Sequence, residues 1–199
     1  MEKEIILASN NKNKLKELSA KMSPLGIKVV SQSEAGYNIE VEETGTTFKE
    51  NAILKAEAIY NLSKHPVIAE DSGLEIDFLN GEPGVYSARY AGENATDMDR
   101  INKVLNLMKD ADDYKSRSAR FKCSMCYIDE NGLKHIFEGV CEGIISKELR
   151  GNNDFGYDPI FICGDKSFAE MTPEEKNKIS HRGKAVKKFL EYLKLQSEI

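Results

Sequence analysis

Nothing in this 199-residue chain approaches the roughly 20 consecutive apolar residues that a bilayer-spanning helix needs. The start, Met1-Glu2-Lys3-Glu4, lacks the basic and apolar stretches of a secretory signal. A cytoplasmic protein with no membrane partner is the expectation. Positive charge is also short: 28 Lys and Arg face 33 Asp and Glu, a formal net charge of -5. That balance argues against a nucleic-acid polymer as partner, which would want a basic face. It leaves room for a single nucleotide, since a few local lysines and a divalent ion can hold phosphates on an acidic protein. Repeats, low-complexity segments and linkers are all missing. The length suits one sizeable core, so a single domain over 1–199 is expected.

Cysteine is scarce too. Cys123 and Cys126 have the CxxC spacing of redox and zinc sites, but they lie in a stretch that reads as a strand. Residues three apart on a strand point to opposite faces, so the two sulfurs should not converge. With Cys141 and Cys163 they read as reduced, half-buried thiols.

What the chain does contain is an alternation of strand and helix patterns followed by a hairpin. Residues 4–8 and 27–30 read as strands, and 11–22 as a helix with Leu15, Leu18 and Met22 at helical spacing. Residues 46–62 form a second helix, with Phe48, Ile53, Ala56, Ile59 and Tyr60 on its apolar face. Strands at 67–69 and 74–79 flank an acidic turn, and Thr96 opens a helix over 97–108. Two longer strands, 117–129 and 134–145, meet at Glu130-Asn131-Gly132, a hairpin signal. A Gly- and Asn-rich loop over 151–158 leads to a short strand at 159–163. Thr172-Pro173-Glu174-Glu175 has capping-box spacing, and Ser180 opens the last helix. Helix-linked early strands beside an antiparallel hairpin predict an α/β fold with a mixed sheet.

Several runs carry chemistry. Val67-Ile68-Ala69 runs straight into Glu70-Asp71-Ser72-Gly73. Acids beyond a strand's carboxyl end suit a hard cation such as Mg2+ over a phosphate chain; the same residues also read as a solvated turn. Ser9-Asn10-Asn11-Lys12-Asn13-Lys14 sits where the first strand becomes the first helix, either an anion site at the helix N-terminus or a polar cap. Asn51 and Lys55 share a helix face distinct from the apolar one, where the lysine could reach phosphates. His181 and Arg182 place potential cations at a helix start, against the macrodipole, which fits an anion or a carbonyl-bearing base. Phe155-Gly156-Tyr157-Asp158 could sandwich a flat ring between two aromatics while Asp158 accepts from ring N–H groups. A loop anchored by core aromatics is the plainer reading.

The runs are also co-ordered. Ser-Asn-Asn-x-x-Lys, Glu-Glu-Thr-Gly-x-Thr-Phe-x-Glu-Asn-Ala, Ala-Glu-Asp-Ser-Gly-Leu, Pro-Gly-Val-Tyr-Ser-Ala-Arg-Tyr-Ala-Gly, Phe-Gly-Tyr-Asp-Pro-Ile-Phe and Glu-Lys-Asn-x-Ile-Ser-His-Arg-Gly-Lys-Ala occur in this order. From residue 5 to about 190 the chain resembles the inosine triphosphate pyrophosphatase family, the Ham1-like enzymes. It departs in having Glu70 where many bacterial members have Asp. The resemblance implies an elongated mixed sheet flanked by helices, two lobes around a central cleft, and a homodimer. It implies Mg2+-dependent hydrolysis of ITP, dITP and XTP to the monophosphate and pyrophosphate. Ser9 to Lys14 and Lys55 would bind the triphosphate. Glu42 or Glu43, with Asp71 and Glu70, would hold the metal. Asp71 would be the general base, and Ser72 would touch the nucleotide. Phe155, Gly156, Tyr157, Asp158, Lys176, His181 and Arg182 would enclose the base. The alternatives are a Maf-like pyrophosphatase acting on other nucleotides and a non-catalytic nucleotide sensor.

Overall fold

The computed structural model describes residues 3–152 and 155–197. Two compact units divide the chain. The first comprises residues up to Asp71, Ser124–Glu138 and the segment from Ala185 onward; the second comprises Ser72–Cys123 and Gly139–Lys184.

In the first unit, β1 (Lys3–Leu7) runs parallel to β2 (Ile27–Ser31), with Ile5 opposite Val29. It also runs parallel to β3 (Val67–Ile76), with Ile6 opposite Val67. Parallel neighbours need crossovers, and helices supply them. They are α1 (Lys12–Met22) between β1 and β2, and α2 (Phe48–Ser63) between β2 and β3. Thr47 caps α2 through a reciprocal box with Glu50, so this helix starts two residues later than the apolar pattern predicts. Its buried stripe is Phe48, Ala52, Ala56 and Ile59, packed with Ile6, Val67, Ala69, Cys126 and Ile128 into one core.

The second unit holds α3 (Asp97–Leu107) and α4 (Pro173–Ile179), with short strands β6 (Phe161–Cys163) and β7 (Lys166–Ser167) in antiparallel register. Its core gathers Leu74, Ile76, Ile101, Val104, Phe121, Phe161 and Phe168. Strands β4 (Ser118–Ile128) and β5 (Lys134–Ile145) form the hairpin, and α5 (His181–Ser197) ends the described chain. Seven strands make one mixed sheet in the order β2-β1-β3-β4-β5-β6-β7. Strands β3, β4 and β5 each contribute residues to both units.

Two expectations need correction. Glu70-Asp71-Ser72-Gly73 is no turn: β3 continues through it for ten residues. As a central strand between β1 and β4, β3 takes its local conformation from its neighbours, and turn propensity yields to that pairing. β7 gave no strand signal because it is two residues long. The thiols are also deeper than expected, with Cys123, Cys126 and Cys141 fully buried and Cys163 half-buried. The last six residues of β4 are all buried, so a thiol pointing either way meets packed side chains. No disulfide is present among the described residues, although the Cys141 and Cys163 sulfurs lie 3.5 Å apart.

Candidate active site

β1 stops at Leu7 while β3 runs on, so the acids of β3 stand just past the carboxyl end of its parallel neighbour. The chain leaving β1 turns there through Ser9, Asn10 and Asn11. Ser9 Oγ accepts from Asn11 N at 3.1 Å, and Asn11 Oδ1 caps α1 by accepting from Asn13 N and Lys14 N. The cap therefore uses two of the N–H groups an anion would have met. Asn10 Oδ1 accepts from Ser33 N at 3.2 Å, while Lys12 and Asn13 are exposed. Lys14 reaches across to Glu70, Nζ to Oε1 at 2.9 Å, and the Glu70 side chain is almost wholly buried.

The second lysine binds two acids at once. Lys55 Nζ lies 3.3 Å from Glu43 Oε2 and 3.2 Å from Asp71 Oδ1. Glu42 is exposed. Glu42, Glu43, Asn10, Gln32 and Lys55 line a cavity of about 610 Å³ in the first unit. The four acids named from sequence do not share one point: no group of three or more His, Cys, Asp or Glu fit for a metal occurs among the described residues. Glu70 is turned toward Lys14 instead. What does converge is the Glu43 and Asp71 pair, already gathered around one cation. Two hard carboxylates with room for phosphate oxygens match the demands of Mg2+, which prefers one or two protein acids plus substrate and water. The residues fit that ion.

In the second unit, α5 begins at His181 behind Ser180, whose Oγ accepts from Gly183 N at 3.0 Å. Glycine is required at 183, because a Cβ there would lie 1.9 Å from the Asn177 carbonyl of α4. That close approach sets the helix start. The His181 ring stacks on Phe121, and Phe121, Phe161 and Phe168 pack against one another at 4.7–5.7 Å. Burial pulls the Arg182 guanidinium down to about 10, still charged at neutral pH.

Residues 153 and 154 of the Gly- and Asn-rich loop lie outside the described residues. The expected aromatic sandwich is not formed as read. Phe155 is exposed, but Tyr157 is a core anchor, buried, with its hydroxyl donating to the Ser87 carbonyl at 2.7 Å. A tyrosine beside an apolar core is more stable with its ring inside and its hydroxyl satisfied. Asp158 is buried and ion-paired with Lys176, whose ammonium also lies 5.4 Å from the Phe155 ring centroid. Burial pushes the Asp158 carboxyl up, with Lys176 opposing. Ser72 is half-buried in β3.

One residue was missed, and the setting of another was misjudged. Asp97 Oδ2 accepts from Gly156 N at 2.9 Å, tying the loop to the start of α3. Burial works to raise its pKa, but bonds from Arg100 and Gly156 leave it below the ordinary value. A lone Asp in a helix's first turn reads as dipole compensation, so no sequence signal marked it. Asn51 was placed on a helix face distinct from the apolar one, yet it is completely buried and bonded to Asp71. Positions 51 and 55 adjoin the Phe48 stripe closely enough to be covered with it.

Lysines set against carboxylates at a strand end, on a mixed α/β sheet, define an enzyme that works on phosphate chains. The chain belongs to the Ham1 family, whose sequence pattern matches residues 5–192. It is 49% identical over 193 residues to the dITP/XTP pyrophosphatase of Bacillus subtilis, covering 96% of this chain and 97% of that one. It is 47% identical over 189 residues to the dITP/XTP pyrophosphatase of Bacillus licheniformis, covering 94% and 96%. Among solved structures, the Ham1 protein of Staphylococcus aureus superposes with a TM-score of 0.90 at 42% identity, covering 98% of this chain and all of that one. A Maf-like assignment is thereby set aside.

Proposed function

We propose that this enzyme hydrolyses ITP, dITP and XTP to the nucleoside monophosphate and pyrophosphate. One observation carries the reading: Lys55 Nζ lies within 3.3 Å of both Glu43 and Asp71 in a chain matched by the family nearly from end to end. That match spans both units, which supports treating residues 1–199 as one catalytic domain.

Water attacks the α-phosphorus, and the bond from that phosphorus to the bridging oxygen of the β-phosphate breaks. Such a reaction asks mainly for positioning and charge neutralisation. Lys14 and Lys55 supply positive charge for the phosphates, with Ser9, Asn10 and Asn11 as polar contacts around them. Asp71 orients the water and accepts its proton. Glu43 and Asp71 would hold Mg2+, which when bound neutralises phosphate charge and lowers the pKa of water. The Glu70 carboxylate holds Lys14 in place.

Specificity comes from the second unit. Hypoxanthine and xanthine carry a carbonyl at C6, where adenine carries an amino group. A donor from His181 or Arg182 is satisfied by the carbonyl and left facing another donor by adenine, a mismatch that discriminates strongly. Phe155 offers a ring face for the base, and Lys176 is held by Asp158 beside it.

A homodimer and a cytoplasmic location belong to the same reading. Phe78, Tyr86 and Met98 leave large apolar side chains exposed on the second unit, and no described helix is long and apolar enough to cross a membrane. Light scattering tests the dimer. Pyrophosphate release across a panel of nucleoside triphosphates with Mg2+ tests the function: ITP, dITP and XTP should far outpace ATP. Equal rates for all, or none for any, would refute it.

A further inference from the structure

Asn51 is polar, fully buried at 0% exposure, and bonded at both ends of its amide. Oδ1 accepts from Gly45 N at 2.8 Å, and Nδ2 donates to Asp71 Oδ2 at 3.2 Å. The partners dictate that orientation, because a backbone N–H only donates and a carboxylate only accepts. Gly45 is fitted to the contact. A Cβ there would stand 2.6 Å from Asn51 Oδ1 and 2.7 Å from Glu50 Cβ, closer than a side chain permits.

One helical turn further on, Lys55 meets the other oxygen of the same carboxylate, Oδ1, at 3.2 Å. α2 thus grips both oxygens of Asp71 from positions 51 and 55 of one rigid element. With Lys55 alone, the carboxylate could still swing, since the terminal torsion of aspartate is broad. The amide removes that freedom. At its far end it also fastens the Glu42–Gly45 segment, which carries Glu43.

We propose that Asn51 is a positioning residue for hydrolysis. It fixes the carboxylate plane of Asp71 and ties the Glu43 segment to the same helix, so that acids from two separate stretches of chain keep one geometry. Having no exposed surface, Asn51 acts through Asp71 rather than on the nucleotide. The inference rests on the reading of Asp71 as general base. A base must present a lone pair within hydrogen-bond reach of the water. Displacements of about 1 Å at such sites can cost ~10²-fold in rate.

The test is a cycle of Asn51→Asp, Asp71→Asn and the double variant. For each, kcat and KM are measured for ITP, together with the melting temperature and amide exchange at Gly45. Asn51→Asp is nearly isosteric and keeps an acceptor for the Gly45 N–H, but it turns the donor facing Asp71 into a carboxylate. Expected is a loss in kcat of at least ~10-fold with KM changed less than ~3-fold and Gly45 exchange nearly unaltered. The double variant restores a donor and an acceptor across the contact. Its melting temperature should recover toward wild type while kcat stays at the level of Asp71→Asn alone. Should Asn51→Asp fail to fold, Asn51→Ser, too short to span both partners, runs through the same cycle. Wild-type kcat in the Asn51 variant, or losses that multiply in the double variant, would overturn the inference. Wild-type turnover by Asp71→Asn would instead remove the general-base reading, and the role of Asn51 with it.

Discussion

The His181 ring lies nearly flat on that of Phe121, centroids 4.8 Å apart and planes 13° from parallel. A residue assigned to reading the base is therefore oriented by the core of the second unit. His181→Ala or Arg182→Ala should narrow the gap in kcat/KM between ITP and ATP by ~1–3 kcal/mol, the cost of leaving a polar partner unpaired. Phe121→Leu, which keeps an apolar side chain and removes the stacking ring, should narrow it in the same direction by a smaller amount. Lys14→Ala is the control. Lys14 is a proposed contact to phosphates common to both substrates, so its loss should slow both by similar factors. Equal losses for all substrates in the His181 and Arg182 variants would mean that these residues serve the phosphates or the fold.

Asp71→Asn is expected to lower kcat by at least ~10²-fold, since it removes the proposed general base and a negative charge at the proposed cation position. Because Asp71 lies within strand β3 and is gripped by Asn51 and Lys55, the melting temperature should shift as well. Steady-state kinetics and a melting curve on the same preparation check both effects.

Removing divalent ions with excess chelator should abolish turnover, and Mg2+ should restore it better than softer ions, because the converging ligands are carboxylate oxygens. Full activity in chelator would contradict this.

Asp158→Asn makes a pH prediction. Burial raises the carboxyl above 3.8, the ordinary aspartate value, so the folded protein binds this proton more tightly than the unfolded chain. The stabilising contribution is then complete below pH 3.8 and is lost as pH rises through the raised value. Melting temperatures from pH 3.5 upward should fall off less steeply in Asp158→Asn than in wild type.

Cys126→Ser tests the thiols. Cys126 sits in the apolar core of the first unit, and burial pushes its thiol up to about 12. A hydroxyl there should lower stability by ~1–3 kcal/mol without affecting metal content. Cys126→Ala should cost less than the serine. Zinc bound stoichiometrically to wild type and lost on substitution would restore the CxxC reading.

Sequence pattern gave the mixed sheet, the order of most elements and the hairpin, because periodicity and turn chemistry are local. It failed where neighbours decide. Glu70 to Gly73 has the composition of a turn, and only the strands on either side make it part of β3. Lys14, Lys55, Glu43 and Asp71 were singled out, and the fold does set them in pairs. Their pairing was hidden, since contact between positions 14 and 70, or 43 and 71, depends on how helices cross the sheet. The sequence leaves Tyr157 between two readings for a related reason, since a loop aromatic gives no sign of whether its ring faces solvent or core; the structure takes the plainer one, a core anchor.

The division of the chain also bears on its synthesis. When a ribosome has extruded residues 1–184, every residue of the second unit has emerged, whereas the first unit still awaits its last segment, from Ala185 onward. Val186 and Phe189 in that segment are completely buried. The nascent protein must therefore complete the first unit last, although the residues of that unit up to Asp71 precede the whole of the second. A chain cut after Lys184 would keep all the proposed site residues and lose part of the core that supports the first unit.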